Sequence, residues 1–208
     1  MTDPAGYVEL HARSAFSFLR GASLPEELAA EAAHLGLTAL ALCDRDGVYG
    51  APRLYRAGRE HGVRALVGCE LTLADGSILP VLVADRTGYR NLCRLITTAK
   101  LTDRPEGLPF PDAHERKRPC YLSWDELANY ASGLIALTGD LEGPLLRAWL
   151  AGGETATEAA LDSLQRLFGP DRLYVELQRH RIRGENRAER MLIALAARHR
   201  LPLLATGG

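Results

Sequence analysis

The sequence is short of almost every feature that announces a function by itself. Lysine is nearly absent: of 25 Lys and Arg residues only Lys100 and Lys117 are lysines, a skew of the kind a GC-rich genome imposes and no guide to activity. Neither sign of charge is in excess, because 26 Asp and Glu leave a formal net charge of -1. No global positive field therefore marks a nucleic-acid binder, and any such contact must be a local patch. No apolar run approaches the ~18 residues a membrane span needs, and the opening MTDPAGYVEL lacks the basic-then-apolar pattern of a signal peptide. A cytoplasmic protein with no membrane partner is the expectation. Cys43, Cys69, Cys93 and Cys120 show neither C-x-x-C nor Cys/His ligand spacing, which argues for reduced thiols rather than a disulfide or zinc framework. A Walker loop, a G-x-G-x-x-G fingerprint and a nucleophile elbow are missing too.

What is present is the composition of one soluble globular domain: 208 residues, 47% hydrophobic and 25% charged, enough to bury a full core. Short β-rich apolar runs alternate with helical stretches throughout, which is α/β order. Strands are expected at 7–12, 37–44, 64–73, 78–84, 133–138, 173–178 and 201–206, with only a turn at Asp75 and Gly76 between the third and fourth. Helices are expected at 24–35, from Pro52 to Gly62, and at 89–100, 124–131, 144–153, 155–168 and 185–199. Ser23 with Glu26, Ser123 with Glu126 and Thr155 with Glu158 have capping-box spacing. Residues 101–120 hold four prolines and several charges and read as a surface excursion. Seven strands with mostly helical crossovers suit a closed TIM-like barrel better than an open sheet.

In such a barrel the reactive groups come from the C-terminal ends of strands. His34, His61 and His199 fall in the last turns of helices, where an imidazole suits the dipole, and His114 lies in the excursion. His11 and His180 instead end the first and sixth strands, Asp44 ends the second and Glu70 lies in the third. That constellation fits a functional cleft or a polar rim. The run Arg179, His180, Arg181, Ile182, Arg183 with Arg187 beyond offers possible phosphate contacts at Arg179, Arg181, Arg183 and Arg187, or a solvated face paired with Glu185 and Glu189.

The residues around these positions are more specific. ELHARSAFSFLRGAS at the first strand, ALCDRDGVYG at the second, GCEL at the third, TGYRNLCRL after the fourth, GLIALTGD at the fifth and LYVELQRHR at the sixth form an ordered series. In this order they resemble the N-terminal PHP domain of bacterial C-family DNA polymerases, the polymerase III alpha-subunit class. FSFLRGASLPEEL is most similar to the error-prone, translesion paralogue. The resemblance runs from Tyr7 to Thr206. It implies a seven-stranded, distorted TIM-like PHP barrel with outer helices, here a single PHP domain over 1–208.

In active members of that family a trinuclear metal cluster performs phosphoester hydrolysis. Carried onto this chain, the His-x-His pair reads His11-Ala12-Arg13, the aspartate before a glycine reads Arg20, and the Asp-His pair reads Asp44-Arg45. Glu70 matches the metal-bridging glutamate and His180 the histidine after the sixth strand, while the histidine near the fourth strand falls at about Leu79. The terminal Asn-Asp-x-His motif is not matched by Ala205-Thr206-Gly207-Gly208.

A guanidinium offers no lone pair to a metal and adds fixed positive charge. Arg13, Arg20 and Arg45 thus make the site degenerate, through drift or because Arg13 or Arg45 fills the vacated centre and pairs with Asp44 and Glu70. No metal or other cofactor and no catalytic residue is then expected. The competing expectation is an active phosphoesterase, a proofreading exonuclease or stand-alone phosphatase, with Mn or Zn on His11, Asp44, Glu70 and His180. A third is a pure interaction module. The resemblance implies a parent chain that is a DNA-directed DNA polymerase, a nucleotidyltransferase of replication, repair and DNA-damage response. Its partners would be the remainder of the polymerase, DNA reached through it, and other translesion or replication proteins.

Overall fold

The computed structural model describes residues 6–101, 120–181 and 185–207. Among them, strands and helices follow in the order β1 (Glu9–Ala12), α1 (Pro25–His34), β2 (Ala39–Leu42), α2 (Ala51–His61), β3 (Arg64–Thr72), β4 (Ile78–Val83), α3 (Arg86–Leu101), α4 (Trp124–Asn129), β5 (Leu134–Leu137), α5 (Pro144–Phe168), β6 (Leu173–Leu177), α6 (Glu185–His199) and β7 (Leu203–Ala205). The excursion expected at 101–120 lies outside the described residues apart from its two ends, as does His114.

The seven strands form one curled sheet in chain order, β1 to β7. Neighbours pair in parallel except β4, which is antiparallel to both β3 and β5. The turn at Asp75 and Gly76 is too short for the crossover that parallel strands need. Asp75 closes it by accepting from the Ser77 amide at 2.8 Å. The curl brings the ends of the sheet together through side chains: the Gly207 amide donates to Glu9 at 2.7 Å. Among the described residues no ladder joins β7 to β1.

The period of two along each strand divides the apolar side chains between two faces. Cys69, Leu71, Val81, Leu173 and Val175 pack outward against α3, α5 and α6, whereas Ala41, Cys43, Leu82 and Leu137, with Leu66 and Tyr174, fill the concave interior. Leu79 belongs to the outward core and is fully buried there, so the fourth-strand position of the family pattern does not reach the site.

Three helix ends differ from the sequence reading. The N-cap of α1 is Leu24, not Ser23, and Glu27 accepts its amide at 2.7 Å, because Pro25 takes the first helical position. The helices expected on either side of Gly152 and Gly153 abut in α5, where Gly153 alone leaves helical geometry at φ 67° and ψ -151°. Glu158 does not cap the second of them; it accepts from His199 at 2.6 Å and Arg198 at 2.8 Å on α6. Ser123 and Glu126 do form the expected box at α4.

Candidate functional site: an ion-pair network at the strand ends

Glu70 is the hub. It sits on the inward parity of β3 with Leu66 and Gly68 and has 0% of its surface exposed. A carboxylate so placed must be neutralised or protonated. Its Oε1 accepts from His11 Nε2 at 3.0 Å and Arg13 Nε at 2.7 Å, and its Oε2 accepts from Arg45 Nε at 2.8 Å. Burial pushes the Glu70 pKa up, but these three donors outweigh it and hold the carboxyl far below the usual range.

His11 bridges to a second buried carboxylate. Its Nδ1 lies 2.7 Å from Glu176 Oε1 on β6, and the residue is buried. Burial works against its charge, yet the hydrogen bonds to Glu176 and Glu70 raise its pKa from 6.5 to about 9, so at neutral pH both ring nitrogens donate. Glu176 is held below its ordinary value, against its own burial, by the His11 hydrogen bond. It also accepts from the Gly139 amide at 3.0 Å, Gln178 Nε2 at 3.0 Å and the Thr206 hydroxyl. The ends of β1, β3, β5, β6 and β7 thus meet on one connected set of hydrogen bonds.

The arginines extend it outward. Arg13 reaches from Glu70 to Asp140 at 2.8 Å, in the loop after β5. Arg45 lies 3.4 Å from Glu142, and Arg20 pairs with the same carboxylate through both terminal nitrogens, one of them at 2.7 Å. Glu142 is lowered by Arg20 and Arg45 despite its partial burial. Arg20 therefore never reaches Glu70, and its half-exposed pair contributes little to stability.

Asp44 corrects one expectation. Neither Arg13 nor Arg45 pairs with it; the Ser14 amide at 2.8 Å, the Ser14 hydroxyl at 2.8 Å and the Ser17 hydroxyl at 2.7 Å occupy its oxygens. The loop after β1 folds over the end of β2, and neutral donors satisfy this buried carboxylate. His180 also stands apart: it is exposed, its Nε2 lies 3.1 Å from Gln178, and only through Gln178 does it connect to Glu176. The pattern joins His11, Arg13, Arg45 and Glu70 directly, with Arg20 through Glu142, and leaves Asp44 and His180 in separate contacts.

Sequence reasoning passed over Glu176, Asp140 and Glu142. Glu176 was detectable as the lone charge of LYVEL on the inward parity of its strand, and Asp140 by the strand-end filter that selected Asp44. Beyond the C-terminal end of the sixth strand, Arg179 pairs with Glu189, Arg187 lies over Trp149 at 5.4 Å, Arg181 has φ 57°, and Arg183 lies outside the described residues.

The chemistry of the donor set decides whether this site suits a metal. A cation needs several lone pairs aimed at one point. Here both Glu70 oxygens are turned to guanidinium groups that have none, and both His11 ring nitrogens already face carboxylates. These residues do not fit a metal cluster, and no hydrolytic step follows from them.

The chain matches the PHP domain family over residues 9–180. It is 41% identical over 206 residues to the error-prone DNA polymerase of Symbiobacterium thermophilum, covering 96% of this chain and 19% of that protein. It is 39% identical over 213 residues to the error-prone DNA polymerase of Mycobacterium bovis, covering 97% and 18%. The chain thus spans about a fifth of the length of these curated relatives. Among solved structures, an amidohydrolase from Chromobacterium violaceum is similar with a TM-score of 0.66 at 17% identity, covering 97% of this chain and 86% of that one. Identity that low speaks for the fold alone.

Proposed function

The chain belongs to the PHP domain family, and from that premise we propose that it serves as the PHP module of a cytoplasmic error-prone DNA polymerase acting in translesion synthesis and repair. In this reading the whole of 1–208 is one module, and it is a scaffold rather than a catalyst. Its partners are the remainder of the polymerase and, through it, DNA. The observation that carries the reading is the saturation of Glu70: Arg13 and Arg45 hold both oxygens where a metal-bridging carboxylate would need them free. A guanidinium supplies the positive charge, and bidentate-capable donors fix the strand ends in place of a metal ion.

The experiment is elemental analysis of the purified chain, phosphoesterase assay with Mn or Zn supplied, and thermal melting of Glu70→Ala. We expect no stoichiometric metal and no hydrolysis. Removing Glu70 leaves Arg13, Arg45 and His11 without their shared partner, which costs about 3–5 kcal/mol for a buried pair, and added metal does not restore the loss. Two or three metal ions per chain would favour an active phosphoesterase instead, and a Glu70→Ala melting temperature equal to the parent's would overturn the structural role of Glu70.

A further inference from the structure

We propose that the exposed face of α3 is a docking site for the phosphate backbone of a nucleic-acid strand. The helix carries Arg86, Arg90, Arg94 and Lys100 and not one Asp or Glu along its length, in a chain whose charges otherwise nearly cancel. Its buried side chains Leu92, Leu95 and Ala99 belong to the core packed between the sheet and the helices. Arg86, Arg90 and Arg94 fall four residues apart on the opposite side, exposed to solvent. Each such step along a helix is about 6 Å.

Most arginines with known contacts in this molecule are neutralised: Arg13, Arg20, Arg45, Arg53, Arg179 and Arg198 each pair with a carboxylate. The three on α3 pair with none among the described residues. Arg94 instead lies over the Tyr130 ring at 5.8 Å. The nearest acidic residue in sequence, the exposed Asp85, is engaged at the helix N-terminus, where it accepts the Gly88 amide at 2.8 Å. Like charges one turn apart weaken a helix, so a row of three without internal compensation is a surface suited to an external polyanion.

The regularity favours nucleic acid over an acidic protein segment. Phosphates recur about every 3.4 Å along the axis of one strand, so each arginine step spans close to two of them. Tyr89, 45% exposed at the N-terminal end of the row, offers a ring on which a base can stack. The Arg179 region lacks this character, since Glu185 and Glu189 lie among its cations. The inference rests on charge and geometry alone and is independent of whether the Glu70 site binds metal.

The test is fluorescence anisotropy of the purified chain with labelled oligo(dT) of about twenty nucleotides and the matching duplex, titrated with salt from ~50 mM upward. The variants are the triple Arg86→Gln, Arg90→Gln, Arg94→Gln and a control triple Arg179→Gln, Arg181→Gln, Arg187→Gln. We expect measurable binding at low salt, a loss of about tenfold or more in the α3 variant, and a salt slope reduced by about two to three, as for three lost phosphate contacts. The control stays within about twofold. Circular dichroism shows whether the α3 variant is folded, and the single charge reversal Arg90→Glu supplies the same readout if it is not. Equal binding by the α3 variant, no binding by the parent chain at low salt, or binding to a poly-glutamate peptide but to neither oligonucleotide would each overturn the proposal.

Discussion

His11 holds two buried carboxylates, Glu70 and Glu176, on its two ring nitrogens, and such a contact is stable only while the imidazole keeps both protons. Its pKa is raised from 6.5 to about 9, so its contribution to folding is complete below the unfolded value and is lost as the pH climbs through the folded one. Glu70 and Glu176 are shifted down, so what they add is present above the ordinary carboxylate range and is lost only in acid. Chemical denaturation across pH should show a plateau from about pH 4.5 to 6.5 followed by a fall of about 3 kcal/mol towards pH 9. His11→Gln should flatten the alkaline limb; an unchanged limb would remove His11 from that role. The arginines at the degenerate positions were visible in the sequence. Their partners were not, because Arg13 and Asp140 lie 127 residues apart and Arg20 and Glu142 lie 122 apart.

The elements were legible where their signals are local. The Ser123 and Glu126 box, the Gly62 cap of α2 at φ 74° and the Gly153 break in α5 follow from short-range hydrogen bonding and from backbone conformations only glycine adopts freely. How an element seats against the next was less visible. Gly88, in the first turn of α3, lies so close to the Gly133 carbonyl that a methyl group there would overlap it. This approach sets α3 against the entry to β5 and so holds the arginine row in place. Gly88→Ala should lower stability by about 2 kcal/mol or more, since backbone rather than a movable side chain must yield. Thr87→Ala beside it, at an exposed position, should stay within about 0.5 kcal/mol. Equal melting temperatures for the two variants would show that α3 seats differently.

At the scale of the whole molecule, the chain covers only about a fifth of the length of its polymerase relatives, and in the proposed reading nucleotide addition belongs to the remainder of the polymerase. The purified chain should therefore show no template-directed incorporation on a primed template. Incorporation that survives removal of contaminating polymerase would overturn the proposed division of labour within a longer polymerase. The sequence by itself determined the order of strands and helices, the parity that puts Leu71 outward and Glu70 inward, and the presence of arginine where the family pattern has metal ligands. Those properties depend on neighbours within a few residues. Only the tertiary structure decided that Asp44 is satisfied by Ser14 and Ser17, that Arg20 turns to Glu142, and that His11 joins Glu70 to Glu176 across 165 residues of chain. Which charges meet, and how strongly burial forces them together, depends on the curl of the sheet, and that curl is a property of all seven strands at once.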